Sequence, residues 1–454
     1  MASVTINTSK NTDTSKSINA SERVDVIDAE ATAKGQEQTL QAVKAREEGR
    51  WLEAIARYAQ VLKGDPDNVE AHQAIGDIYF EQEDYEAAIH SYMKAAEIDP
   101  HNEQSHLQLG KIAQQQQRWN DAIDSFQHVV AVNPDSCVGY QLLGLAHFNL
   151  GQLTAAHHSY KSAIATGSKA PWVWGQLGRI EQQQEHYDEA VHYYNQAIAL
   201  DNKNHNFYVA CGDIFFKQQE LKLATHAYEQ ALANNKRLPD VYRKLASIAN
   251  SQRYSKVAKE RIAYALMLAP GDHRLWRTLG DIQFTEEDFS AAATSYQKAI
   301  DLGDQAPWIF FKLGRIAQYE RTIDKAMYYF QKAIALDKNN PGFYIAPGDV
   351  CVENDQLTTA QQFYQSALTI DPDFAIAHFK LGRIAQQQSD FESAISLYNQ
   401  AIRLDDSNPQ FYFYLGNVYR AQKETELAAT AYQAAIAADK SFHFARTALE
   451  GLQR

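Results

Sequence analysis

The sequence predicts an all-α fold, a right-handed alpha-alpha superhelix built as a solenoid of twelve 34-residue helix–turn–helix repeats. Three observations predict it. Alanine recurs at every thirty-fourth position from Ala54 to Ala428 without a miss. An aromatic residue follows four positions later each time except at Ile262. Glycine stands twelve residues before the alanine throughout, save at Ala42 and Ala246. Self-similarity at a fixed period of about 20 to 50 residues marks an architecture in which each unit is too small to bury its own apolar face.

The elements follow in order. Residues 1–34 begin with a run rich in Ser, Thr, Asn and Asp, which predicts a largely disordered polar tail. This start also lacks the apolar core behind a basic flank that marks a secretory leader. Repeats occupy residues 35–442, and positions within each are counted from 35, 69, 103 and so on. Glycine is then position 8, the anchor alanine position 20 and the aromatic position 24. Apolar residues spaced by three and four give each of two helices a single buried stripe. The small residue at position 8 lets the second helix come close, and the alanines receive the aromatic ring. Pro66, Pro100, Pro134, Pro270 and Pro372 share one position, where they end a repeat and open the turn to the next. Pro171 and Pro307, in two Ala-Pro-Trp phrases, suit the first turn of a helix, where an N–H needs no partner. Residues 443–454 read as a short capping helix, with Leu449 and Leu452 over the last core edge.

This pattern resembles the tetratricopeptide repeat family, whose signature is W-x2-L-G-x2-Y followed by A-x3-F and P. The resemblance implies a non-catalytic scaffold or adaptor that binds peptide segments in a concave groove lined by positions 2, 5, 9, 12 and 13 of the first helices. An alternative is the substrate-recognition or partner subunit of a glycosyl- or other group-transferase carried on a separate chain. The array is similar in shape to the repeat domain of O-linked N-acetylglucosamine transferase. That domain's asparagine ladder is not matched, because position 6 here reads Gln108, Gln176, Lys244, Lys312 and Lys380 in odd repeats. The family's carboxylate-capturing residues are not matched either, since Arg243, Ser247, Thr278, Trp308 and Lys312 stand at those positions.

Two repeat types alternate. Odd repeats carry LGRIAQ or a relative, with Arg179, Arg315 and Arg383 at position 9; even repeats carry Asp77, Asp213, Asp281 and Asp349 there. Stacked first helices would set these residues side by side as a ladder of alternating charge, holding register or meeting a peptide backbone. Ten basic and three acidic residues between Lys236 and Arg277 mark a second candidate, with Arg243, Lys244, Arg274 and Arg277 on the groove face, suited to an acidic partner. Trp172 and Trp308 at position 2, and Phe311, Phe379 and Phe413 at position 5, extend an aromatic lining. The partner-binding candidates are therefore Trp172, Arg179, Asp213, Arg243, Lys244, Arg274, Arg277, Trp308, Phe311 and Arg315.

Composition narrows the function classes. A net charge of -13 disfavours general binding to nucleic acid or anionic membrane. Mean hydropathy is -0.47, and no window reaches the roughly 20 apolar residues of a membrane span. Three scattered cysteines, Cys137, Cys211 and Cys351, form neither a disulfide framework nor a zinc site and suit the reducing cytoplasm. Phosphate-loop, dinucleotide, nucleophile-elbow and zinc-protease motifs are missing. His157, His158, His186 and His192 show no carboxylate or cysteine at ligand spacing. No enzyme activity, cofactor or metal is expected, and the open solenoid ends offer a route to self-association.

Overall fold

The computed structural model describes residues 20–452, and within them the regular elements are α-helices and one short 3-10 turn. They form two compact units that divide at Asn234 and Asn235. In each unit a 13-residue first helix, such as Val69–Glu81, turns sharply into a second, such as Tyr85–Ile98. Every anchor alanine lies fully buried on a second helix, from Ala54 to Ala224 in one unit and from Ala258 to Ala428 in the other.

The turns are built alike. Position 15 adopts the left-handed conformation in Glu83, Gln117, Glu185, Gln219, Arg253, Glu287, Arg321, Asp355, Ser389 and Lys423. The next N–H reaches back to close the helix, as Asp84 does to the Tyr79 carbonyl at 2.9 Å and Asp390 to that of Ala385 at 2.9 Å. This is the bond that satisfies carbonyls orphaned at a helix end. At first-helix starts, Asn68 and Asn102 accept from the backbone N–H of Ala71 and Ser105. Pro171, Pro239, Pro307 and Pro409 each occupy the first helical position.

The glycine at position 8 meets the ring at position 24 face to face. A Cβ on Gly110 would lie 2.4 Å from the Phe126 ring, and one on Gly212 would lie 2.6 Å from that of Tyr228. Repeat seven keeps the fit with the volumes exchanged, since Ala246 faces Ile262 and both are completely buried. Its lost glycine and lost aromatic are one compensated change.

Three features depart from the regular plan. The opening helix runs from Ala20 to Glu47, so helix covers residues 20–34 that the sequence assigns to a polar tail; the rest of that tail lies outside the described residues. In repeat ten, Pro341–Tyr344 forms a 3-10 turn before the short helix Ile345–Glu353. Pro347 explains it, having no N–H for the Phe343 carbonyl and a ring that crowds that carbonyl. At the far end, the helix His443–Leu452 buries Ala445 and lays Leu449 and Leu452 on the cluster around Tyr432.

Candidate functional site

The position-9 residues follow a different logic from a ladder of neighbouring charges. In even repeats the aspartate accepts the hydroxyl of its own position-24 tyrosine: Tyr92 to Asp77 at 2.6 Å, Tyr228 to Asp213 at 2.7 Å, Tyr296 to Asp281 at 2.8 Å and Tyr364 to Asp349 at 2.7 Å. Asn417 does the same for Tyr432 at 2.8 Å. Odd repeats move the acceptor one helical turn along, to position 12, where Gln182 takes Tyr194 at 2.8 Å and Gln386 takes Tyr398 at 2.7 Å. Burial and the adjacent carboxylate hold the Tyr92, Tyr296 and Tyr364 phenols far above their ordinary range, so they stay protonated donors.

The exceptions are as regular as the rule. Phe126, Ile262 and Phe330 bring no hydroxyl, and the side-chain oxygens of Gln114, Asn250 and Gln318 are buried without a hydrogen-bond partner. Conversely Leu145 stands where an aspartate would, and the Tyr160 hydroxyl is buried and unpartnered. Charge contacts of the position-9 aspartates with the next repeat run diagonally, to position 6. Lys380 meets Asp349 at 2.8 Å, and Lys312 is drawn toward Asp281. The position-9 arginines instead cover aromatic rings, Arg179 over Phe148 at 4.8 Å and Arg383 over Tyr414 at 4.9 Å.

The basic cluster comes together within the second unit around three aspartates. Arg243 and Lys244 grip Asp240 at 2.8 and 2.9 Å, and Arg274 approaches it at 3.7 Å. Arg274 also binds Asp272 at 2.8 Å. Arg277 binds Asp304 at 3.0 Å, with His273 on the same carboxylate at 2.9 Å. Burial opposes ionisation of Asp240, but hydrogen bonds from Lys244 and Arg243 outweigh it and hold the carboxyl below its ordinary range. Asp304 lies outside the sequence window that defines this cluster, so the four candidates carry less free charge than composition implies.

Position 2 is one of the places where large apolar side chains open to solvent. Trp308 is 53% exposed and Trp172 38%. Trp172 stands edge-on to Tyr160, while Trp308 packs on Phe343 at 4.7 Å and on the half-buried Phe311 at 5.6 Å. Val138, Ile376 and Phe444 are exposed at the same position. Position 5 does not continue this lining at Phe379, which is buried between Tyr398 and Phe411.

Titratable clusters of another kind are structural. His157 and His186, which showed no carboxylate partner in sequence, meet the buried Glu181 at 3.0 and 2.8 Å. Among the described residues no group of His, Cys, Asp and Glu could hold a metal ion. Burial pushes the Cys211 thiol up to about 12, leaving it protonated and inert. Also among the described residues, no helix is long and apolar enough to cross a membrane.

Comparisons with known proteins agree with this architecture. The family model described as "Cilia and flagella-associated protein 70 C-terminal domain" matches residues 19–275. Tetratricopeptide repeat models match residues 348–389 and 379–441. No curated protein matches the chain. Among solved structures, the APC/C hetero-tetramer Cut9-Hcn1 is similar at 14% identity and a TM-score of 0.46, covering 93% of this chain and 96% of that one. MamA is similar at 26% identity and a TM-score of 0.35, covering 36% and 95%. The C-terminal part of a TPR repeat-containing protein from Cytophaga hutchinsonii is similar at 16% identity and a TM-score of 0.46, covering 53% and 98%. The chain belongs to the tetratricopeptide repeat family, and its residues 19–275 to the group described by the C-terminal domain of cilia and flagella-associated protein 70.

Proposed function

We propose that the protein is a non-catalytic scaffold that holds peptide segments of partner proteins against the position-2 side of its first helices. Trp172 anchors them in the first unit and Trp308 in the second. The observation that carries this reading is the recurrence of exposed large apolar residues at that one position, at Val138, Trp172, Trp308, Ile376 and Phe444. Single exposed apolar residues are ordinary on any surface, whereas a row at one register points to contact. Tryptophan gives a large contact area at low entropic cost and is enriched among interface anchors. Arg243, Lys244 and Arg277 already serve Asp240 and Asp304, so they hold the second unit's helices in register more than they attract a partner. Arg274, about half exposed, is the most exposed of the four, and its charge is met by Asp272.

Affinity capture from the source cell tests this. Trp308→Ala and Trp172→Ala are compared with wild type and with Met267→Ala, which removes an exposed residue on a second helix. Recovery of partners should fall at least tenfold, on the scale of a hot-spot truncation, for the tryptophan variants and stay unchanged for Met267→Ala. Equal recovery from all four proteins would overturn the assignment.

A further inference from the structure

A cavity of about 670 Å³ opens beside the turn of repeat nine, between the first helices Pro307–Tyr319 and Ile345–Glu353. Its size falls within the usual range for small-ligand sites of roughly 300 to 1,000 Å³. The same place in repeats five and six is bridged by an ion pair. There Glu185 at position 15 meets Lys217 at position 13 of the next repeat at 2.8 Å, and Lys217 also covers the Tyr187 ring. In repeats nine and ten the signs are exchanged, with Arg321 at position 15 and Glu353 at position 13. Glu353 accepts instead from Gln318 Nε2 at 3.1 Å, and among the described residues Arg321 pairs with no carboxylate.

Arg315 is released by a second exchange. Its counterpart Arg179 lies over Phe148, but the ring equivalent to Phe148 is Phe284, and Lys312 Nζ already occupies its face at 4.0 Å. Arg315 is therefore left exposed on the cavity wall without an aromatic or acidic partner. The cavity holds two uncommitted guanidiniums, one carboxylate, and the exposed apolar side chains of Tyr319 and Ile323.

We propose that this cavity binds a single carboxylate carried on a compact apolar or aromatic body. A guanidinium is a planar fork that matches a carboxylate with two parallel hydrogen bonds. Two arginines against Glu353 leave one net positive charge, which suits a monoanion and disfavours a dianionic phosphate held near that carboxylate. Tyr319 and Ile323, both exposed on the cavity wall, take the apolar body. A free small organic acid and the terminal residue of a peptide share this chemistry. The site needs no partner at position 2, so its test is separate from that of the scaffold reading.

The probes are N-acetylphenylalanine, its amide, inorganic phosphate, and an octapeptide ending in phenylalanine with a free terminus, each titrated calorimetrically into the full chain. N-acetylphenylalanine or the octapeptide should bind saturably, and the amide and phosphate at least tenfold more weakly. Binding of the octapeptide alone would identify a chain terminus as the source, and preference for N-acetylphenylalanine a free acid. Arg321→Gln should reduce affinity at least tenfold and Arg179→Gln should not. Arg321→Glu combined with Glu353→Lys recreates the pair that bridges repeats five and six, consumes both cavity charges, and should abolish binding while leaving the circular dichroism unchanged. No saturable binding of either acid, equal binding of amide or phosphate, or indifference to Arg321→Gln would overturn the proposal.

Discussion

Each hydroxyl at position 24 sits where water does not reach, so its acceptor decides the sign of its contribution. Removing Tyr92's hydroxyl from Asp77 breaks a hydrogen bond to a charged group, worth about 1.5 to 3 kcal/mol. Tyr160 has no acceptor, so Tyr160→Phe discards only a buried polar group and should be neutral or stabilising by about 1 kcal/mol. Urea midpoints for Tyr92→Phe and Tyr160→Phe should therefore move in opposite directions or leave the second unmoved. Phe126→Tyr supplies the donor that Gln114 lacks and should raise the unfolding free energy by about 0.5 to 1.5 kcal/mol. Asp281 behaves in the other sense from Asp240. Burial raises its pKa above the ordinary 3.8 despite attraction from Lys312 and Arg277. A carboxyl with a raised folded pKa subtracts stability while ionised, and the loss is recovered as pH falls through that pKa toward 3.8. Asp281→Asn, which can still accept from Tyr296 as Asn417 does from Tyr432, should be more stable than wild type at neutral pH. The advantage should vanish in acid below 3.8; a difference independent of pH would contradict the assignment.

Between paired helices, the unit of conservation of volume is the position-8 and position-24 pair. Ile262→Tyr alone would push a ring against the Ala246 methyl and should cost about 1 to 3 kcal/mol, as overpacking does. Adding Ala246→Gly restores the arrangement of Gly212 and Tyr228, so the double variant should recover most of that loss. A double-mutant cycle on thermal unfolding measures the coupling, and additive effects would refute it. The helices and their turns were legible in sequence because alanine and glycine recur in strict phase, whereas the ring at position 24, expected against the alanines, meets the position-8 glycine. The position-9 chemistry was less so. Reading charges by neighbouring position suggested a ladder, yet a buried tyrosine hydroxyl fifteen residues downstream claims the aspartate first. That signal was present as the repeated spacing of Asp77 to Tyr92, Asp213 to Tyr228, Asp281 to Tyr296 and Asp349 to Tyr364. Asp304, which answers Arg277 and His273, fell outside the basic stretch because its repeat meets them only in space.

Within each unit, contacts are local, since each helix pair packs on its neighbours in sequence. Stability in such arrays is close to a sum of repeat and interface contributions, and damage stays near its source. Gly416→Ala would force a Cβ to 2.6 Å from the Tyr432 ring. Hydrogen exchange should quicken in Pro409–Ala421, Thr425–Ala438 and the helix His443–Leu452, and stay at wild-type rates in the first unit. Uniform acceleration across all helices would show cooperative unfolding instead. The cavity of repeat nine was hidden from composition for a related reason. It exists because two charges that could have paired did not, and only the contrast with Glu185 and Lys217 makes the missing bridge visible.

The turn residue at position 15 has one more consequence. From Glu83 to Lys423 its backbone is held at the same left-handed angle while its side chain is exposed. A non-glycine residue there carries a cost of about 1 to 2 kcal/mol, yet its chemistry ranges over acid, base, amide and hydroxyl. Each unit thus carries its own graduated edge, marked every 34 residues, and labels at Ser389 and Lys423 would report spacing along the second unit like divisions on a rule.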